Sequence, residues 1–174
     1  MTYSVLPAEL VALARRVVEE NRAAGRRVAV AESCTGGLVS AALTEIPGSS
    51  DVLEAGFITY SNATKRKLLN VSADVIDTFG AVSIAVAWAM AQGAIEQSDA
   101  DVAVAITGVA GPGGGTEKKP VGTVVFARAE RGGDPQDVIA DKKHFGEIGR
   151  GSVRLQAALV ALELLLPVPA TPAP

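Results

Sequence analysis

Arg27–Glu32 reads RVAVAE and Asp101–Thr107 reads DVAVAIT. In each, β-branched valine or isoleucine alternates with alanine, so both faces of the extended chain are apolar. Runs this continuous in apolar character suit strands covered on both sides, as in a parallel sheet between two helical layers. Glu54–Ser61 (EAGFITYS) predicts another strand. Gly122–Glu130 and Gln136–Phe145, joined through Arg131-Gly132-Gly133-Asp134, predict an antiparallel hairpin.

Helical patterns fill the intervals. The stretch from Leu6 to Arg27 carries Leu10, Leu13, Val17 and Val18 at roughly helical spacing among charged residues. Cys34–Ile46 continues the first strand as a helix that stops before Pro47-Gly48. Ala63–Asn70, the Ala-rich Ser83–Gln97 and Gly151–Leu166 complete the set. This alternation predicts an α/β fold, a three-layer α/β/α sandwich with a mixed, mostly parallel sheet of about five strands. There is no internal repeat or interior linker, so residues 1–166 read as one domain. The tail 167–174, PVPATPAP, reads as disordered.

Composition narrows the chemistry. The 174 residues carry 16 Lys and Arg against 19 Asp and Glu, a formal charge of -3, which argues against nucleic acid as a partner. One cysteine excludes an intramolecular disulfide, and one cysteine with one histidine excludes the usual structural zinc sites. His144 being alone, a hydrolase has to find its general base elsewhere. No segment approaches the ~18 apolar residues of a membrane span and no secretory signal is read, which predicts a soluble cytoplasmic protein. Aromatics are 4% of the chain and alanine is abundant, so core elements are expected to pack closely.

Ligands of such sheets gather beyond the carboxyl ends of the strands. Three polar segments fall there: Glu32-Ser33-Cys34-Thr35-Gly36-Gly37, Thr59-Tyr60-Ser61-Asn62-Ala63-Thr64-Lys65 and Thr107-Gly108-Val109-Ala110-Gly111-Pro112. In the first, N–H groups at a helix start favour an anion or an oxyanion, and glycines admit close approach. Ser33 is a nucleophile there or simply a helix cap. Lys65, if desolvated or set beside Arg66 and Lys67, is a general base; otherwise it belongs to a solvated face. Tyr60 bridges serine and lysine or binds substrate. The glycine-rich third segment lines a ligand site or makes a plain turn, and fits neither common phosphate-loop pattern. Arg150 and Arg154 are phosphate forks or exposed charges. Cys34 reads as a buried small side chain, since nothing brings His144 to it.

Taken together, AESCTGGLVSAALTEIPGSSDV, GFITYSNATKRKLLNV, GAVS, AITGVAGPGGGTEKKPVGTVVFA and FGEIGRGSVRLQAAL resemble the CinA carboxy-terminal domain family, in order, over roughly residues 8–166. Stand-alone members of that family include nicotinamide-nucleotide amidases. The resemblance implies hydrolysis of nicotinamide mononucleotide to nicotinic acid mononucleotide and ammonia, in pyridine-nucleotide recycling. It also implies one antiparallel strand in the sheet, a homodimer, and neither metal nor cofactor. Carried over by residue, Ser33 becomes the nucleophile and Lys65 the base, with Tyr60 in the same catalytic group. Substrate binding falls to Glu32, Thr35, Gly36 and Gly37 in the first motif and Asn62 in the second. Thr107 and Gly108 open the loop facing the site, and Arg150 meets the 5′-phosphate. The family's Gly-Asp-Arg before the last helix is Ile148-Gly149-Arg150 here, so the carboxylate that would orient the arginine is missing. Two rival readings are a catalytically silent nucleotide-binding module and an interaction partner in competence or DNA-damage responses.

Overall fold

The computed structural model describes residues 4–168. Residues 169–174, most of the segment expected to be disordered, lie outside the described residues. The elements in chain order are α1 (Ala8–Ala23), β1 (Val28–Glu32), α2 (Leu38–Thr44), a 3-10 turn (Ser49–Asp51), β2 (Leu53–Ile58), α3 (Asn62–Leu69), α4 (Ala73–Phe79), α5 (Ile84–Glu96), β3 (Val102–Gly108), β4 (Thr123–Glu130), β5 (Ile139–His144) and α6 (Arg150–Leu165). They form a five-stranded sheet in the order β2-β1-β3-β4-β5. β1 pairs in parallel with β2 and β3, whereas β4 is antiparallel to β3 and to β5. One strand, β4, therefore runs against the other four.

The valine–alanine alternation sorts the two faces of the sheet. Val28, Val30, Val102, Val104, Ile106, Val124 and Phe126 point into one core with α1, α2 and α6. Ala29, Ala31, Ala103, Ala105, Ala127 and Ala129 point into the other, beneath α5. The small face lets α5 lie close, with Ala87, Ala91 and Ala94 of its own turned inward. α1 presents Leu10, Ala14, Val17 and Val18 to the first core, the stripe its spacing predicts. No helix among the described residues is long and apolar enough to cross a membrane.

Two expectations need correction. The helix expected from Cys34 starts only at Leu38, because residues 33–37 form a turn in which Gly36 and Gly37 take positive φ of 58° and 95°. α4 was not expected; it is a short helix that begins after Ser72 and stops at Gly80, where φ is 78°. Remaining boundaries shift by a few residues: α1 ends at Ala23 rather than Arg27, β2 ends at Ile58 rather than Ser61, and β5 starts at Ile139 rather than Gln136.

Candidate active site

The parallel strands deliver their carboxyl ends to one edge, and the ladder runs one residue past β1 and β2. Ser33 N donates to Ile106 O at 2.9 Å and Thr59 N to Glu32 O at 2.8 Å. Ser33, Thr59 and Thr107 thus stand side by side at the head of the sheet.

α3 then brings in Lys65. Ser61 caps the helix, its Oγ accepting from Thr64 N at 3.1 Å. Lys65 and Leu69, one turn apart, form its buried inner face, whereas Arg66 and Lys67 are exposed. Lys65 is 1% exposed. Its Nζ donates to Ser33 Oγ at 3.0 Å and to Thr59 O at 2.8 Å. No carboxylate neutralises it, and burial lowers the ammonium from 10.5 to about 8. Desolvation does this; the cationic neighbours Arg66 and Lys67 play no part. Ser33 does not cap α2, whose N-cap is Gly37, and Lys65 is not on a solvated face.

Glu32 takes a different place from the one expected. It is fully buried, and its carboxylate accepts from Gly37 N (3.0 Å) and Val39 N (3.2 Å) on one oxygen. The other oxygen accepts from Ser40 N (2.9 Å) and Ser40 Oγ (2.7 Å). The amino end of α2 is thus filled by the chain's own anion, and Glu32 cannot touch a substrate. Gly36 N donates to Ser33 O at 3.1 Å, so neither Gly36 nor Gly37 offers its N–H to a ligand. Their role is the left-handed turn itself. Cys34 N has no backbone acceptor among the described residues, and Cys34 lines the cavity in front of Ser33. Thr35 is buried outside that cavity. Burial pushes the Cys34 thiol up from 9.0 to about 11.

The cavity holds about 260 Å³ and is closed by Tyr60, Arg150 and the loop through Gly111. Arg150 Nη1 donates to Gly111 O at 2.7 Å and Nη2 to Tyr60 Oη at 3.1 Å. A carbonyl and a phenol orient the arginine where a neighbouring carboxylate is lacking. Tyr60 is 61% exposed, and its hydroxyl meets Arg150, not Ser33 or Lys65, so it does not bridge the pair. Arg154 is not available as a phosphate fork: Nε donates to Cys34 O (3.1 Å) and Nη2 to Thr35 O (2.9 Å), bracing the serine turn from α6. Thr107 Oγ1 donates to Ala81 O at 2.9 Å, fixing the wall before α5. Gly108 lines the cavity, yet its lack of a side chain serves the sheet, since a Cβ would press on Thr123 O at 2.9 Å. Asn62 is exposed and away from the cavity. Sequence reasoning missed Ser40, which completes the Glu32 cage, and the Ala81–Val82 wall. Ser40 acts at a helix end and gives no signal of its own, whereas Ala81–Val82 falls in the GAVS stretch that carries the resemblance. Among the described residues, no cluster of His, Cys, Asp and Glu could hold a metal.

Comparison with known proteins gives consistent matches. A family model described as the CinA C-terminal domain matches residues 10–168. A CinA-like protein of Mycobacterium avium is 62% identical over 104 residues, which are 60% of this chain and 24% of that protein. Nicotinamide-nucleotide amidohydrolase PncC of Enterobacter agglomerans is 48% identical over 145 residues, 83% of this chain and 86% of the relative. The chain spans only about a quarter to a third of the CinA-like relatives it matches. The crystal structure of the competence/damage inducible protein CihA from Agrobacterium tumefaciens superposes with a TM-score of 0.89 at 47% identity, covering 94% of this chain and 97% of that one.

Proposed function

The chain belongs to the CinA C-terminal domain family, and from that premise we propose that it is an amidohydrolase acting on a nicotinamide nucleotide through Ser33 and Lys65. The observation that carries this reading is the buried Lys65 Nζ, 3.0 Å from Ser33 Oγ with no carboxylate to hold its charge. With the ammonium lowered to about 8, about a tenth of the lysine is uncharged at pH 7. In that form Nζ keeps a hydrogen on Thr59 O and turns its lone pair to the serine hydroxyl.

Ser33 Oγ attacks the carboxamide carbon as its proton passes to Lys65. The oxyanion is assigned to Cys34 N–H, which has no backbone acceptor among the described residues and belongs to a residue lining the cavity. The Lys65 ammonium returns the proton to the leaving nitrogen, the C–N bond breaks and ammonia departs. Water, deprotonated by neutral Lys65, then attacks the acyl-serine; the ester C–O bond breaks and the proton returns to Ser33. Arg150 at the cavity mouth meets the 5′-phosphate. The electron-poor pyridinium ring activates the amide, which suits a site with a single modest base.

The test is ammonia release from nicotinamide mononucleotide by wild type, Ser33→Ala and Cys34→Ala. Ser33→Ala is expected to lose at least about a thousandfold in kcat, while Cys34→Ala stays within a few fold. Loss in Cys34→Ala with retention in Ser33→Ala overturns the assignment. A rise in melting temperature with nicotinamide mononucleotide but no ammonia from wild type favours a silent module.

A further inference from the structure

A second hollow, larger than the cavity at Ser33, lies elsewhere on the described residues. A groove of about 740 Å³ opens between α4, the start of α5 and the edge strand β5. Phe79 of α4, Ile84 of α5 and Val138 before β5 line it, exposed at 53%, 46% and 47%. Trp88, one turn along α5 from Ile84, forms a further wall and is held by Nε1 donating to Pro135 O at 3.1 Å. Apolar side chains grouped this way around a hollow mark a binding surface, where scattered ones do not.

The groove is also charged with one sign. Lys118, Lys119 and Lys142 line it and no carboxylate does. Lys119 Nζ donates to Phe79 O at 2.6 Å, against Gly80, so that positive charge is fixed in the wall. A twofold axis through the groove itself would set hollow against hollow and lysine against lysine. A flat aromatic body carrying an anionic group satisfies both the walls and the cations. The groove is separate from the catalytic cavity but shares Val82 with it, next to Ala81, whose carbonyl Thr107 holds.

We propose that this groove is a second ligand site, taking a small flat aromatic anion such as a ring bearing a carboxylate, sulfonate or phosphate. It stands whether or not Ser33 is an amidase nucleophile, since its test reads binding alone. Trp88 is the chain's single tryptophan, so quenching of its emission reports the groove directly. The full chain is titrated with 8-anilinonaphthalene-1-sulfonate, an aromatic sulfonate, with sedimentation run in parallel.

The expected result is saturable one-to-one binding with energy transfer from Trp88. Binding weakens about tenfold in Lys118→Ala/Lys142→Ala, is lost in Val138→Asp, and is unchanged in Ser33→Ala. The two groove variants act on charge and on apolar contact separately, and far-UV circular dichroism confirms that each is folded. Absence of saturable binding, or binding indifferent to both variants, overturns the proposal. So does exclusion of the probe until a dimer dissociates on dilution, which makes the occupant a second copy. Cosedimentation with anionic vesicles without probe transfer in their absence overturns it in favour of a lipid surface.

Discussion

Lys65 Nζ sits 3.0 Å from Ser33 Oγ across 32 positions of sequence, with Thr59 O as its other close partner. The pair is assembled by the sheet, Ser33 arriving at the end of β1 and Lys65 on the helix that follows β2. Its pH behaviour follows from burial. Below about 8, kcat/KM is expected to fall roughly tenfold per pH unit as Lys65 protonates, and to level off above. A profile measured from pH 5 to 10 with a limb near 6.5 instead would point away from Lys65.

The same shift bears on stability. Lys65 has its folded value lowered, from 10.5 to about 8, so the unfolded chain binds the extra proton between those values and stability rises with pH across that window. Compared with Lys65→Met, the wild type is expected to gain up to about 3 kcal/mol on going from pH 7.5 to 10.5. Urea denaturation at several pH values checks this. The variant is also expected to lose about 10²–10⁴-fold in kcat.

Glu32 accepts four hydrogen bonds from the head of α2 while fully buried. Glu32→Gln keeps the shape but sets an NH₂ against donors. The expected cost is about 2–4 kcal/mol in denaturant unfolding. Because Ser33 is the next residue, kcat is expected to drop further than KM rises. A variant as stable and active as wild type would show the cage to be dispensable.

Arg150 touches Gly111 O and Tyr60 Oη, not the Ser33–Lys65 pair. Arg150→Ala is therefore expected to raise KM for the mononucleotide about ten- to a hundredfold, as loss of a charge-assisted contact does. It should leave turnover of the dephosphorylated riboside nearly unchanged. Tyr60→Phe should give a smaller KM effect and no collapse of kcat. Equal loss on both substrates would place Arg150 in the chemistry instead.

Cys34 is 5% exposed, and burial raises its thiol to about 11. It is expected to react slowly with a disulfide reagent at pH 7.5, faster only in urea. Rapid labelling of the folded protein would contradict that environment.

The valine–alanine runs made the layered sheet legible, because alternation of large and small side chains is a local pattern with a direct meaning for the two faces. The antiparallel pairing of β4 with β5 was legible from the hairpin, but not which of the two runs against the rest of the sheet. Ser33 and Lys65 were legible as residue types at strand ends and, through the resemblance, as nucleophile and base; the burial of Lys65 was not, since burial of a lysine is decided by what packs over it. Glu32 was misread for the opposite reason. A carboxylate beside a candidate nucleophile looks like a ligand contact, and only the five-residue turn, with two glycines at positive φ, bends the helix start back onto it. Arg154 was misread likewise, because its partners are carbonyls with no sequence signature.

The filled amino end of α2 also bears on how the reaction would end. In many folds a helix start beside a nucleophile doubles as an anion trap, and an acid made there lingers. Here Glu32 has already taken that cradle, and its negative charge stands behind the turn on which the new carboxylate would form. A neutral amide is received without penalty, whereas its anionic product finds no vacant helix end. The cap of one short helix would thus favour departure of product.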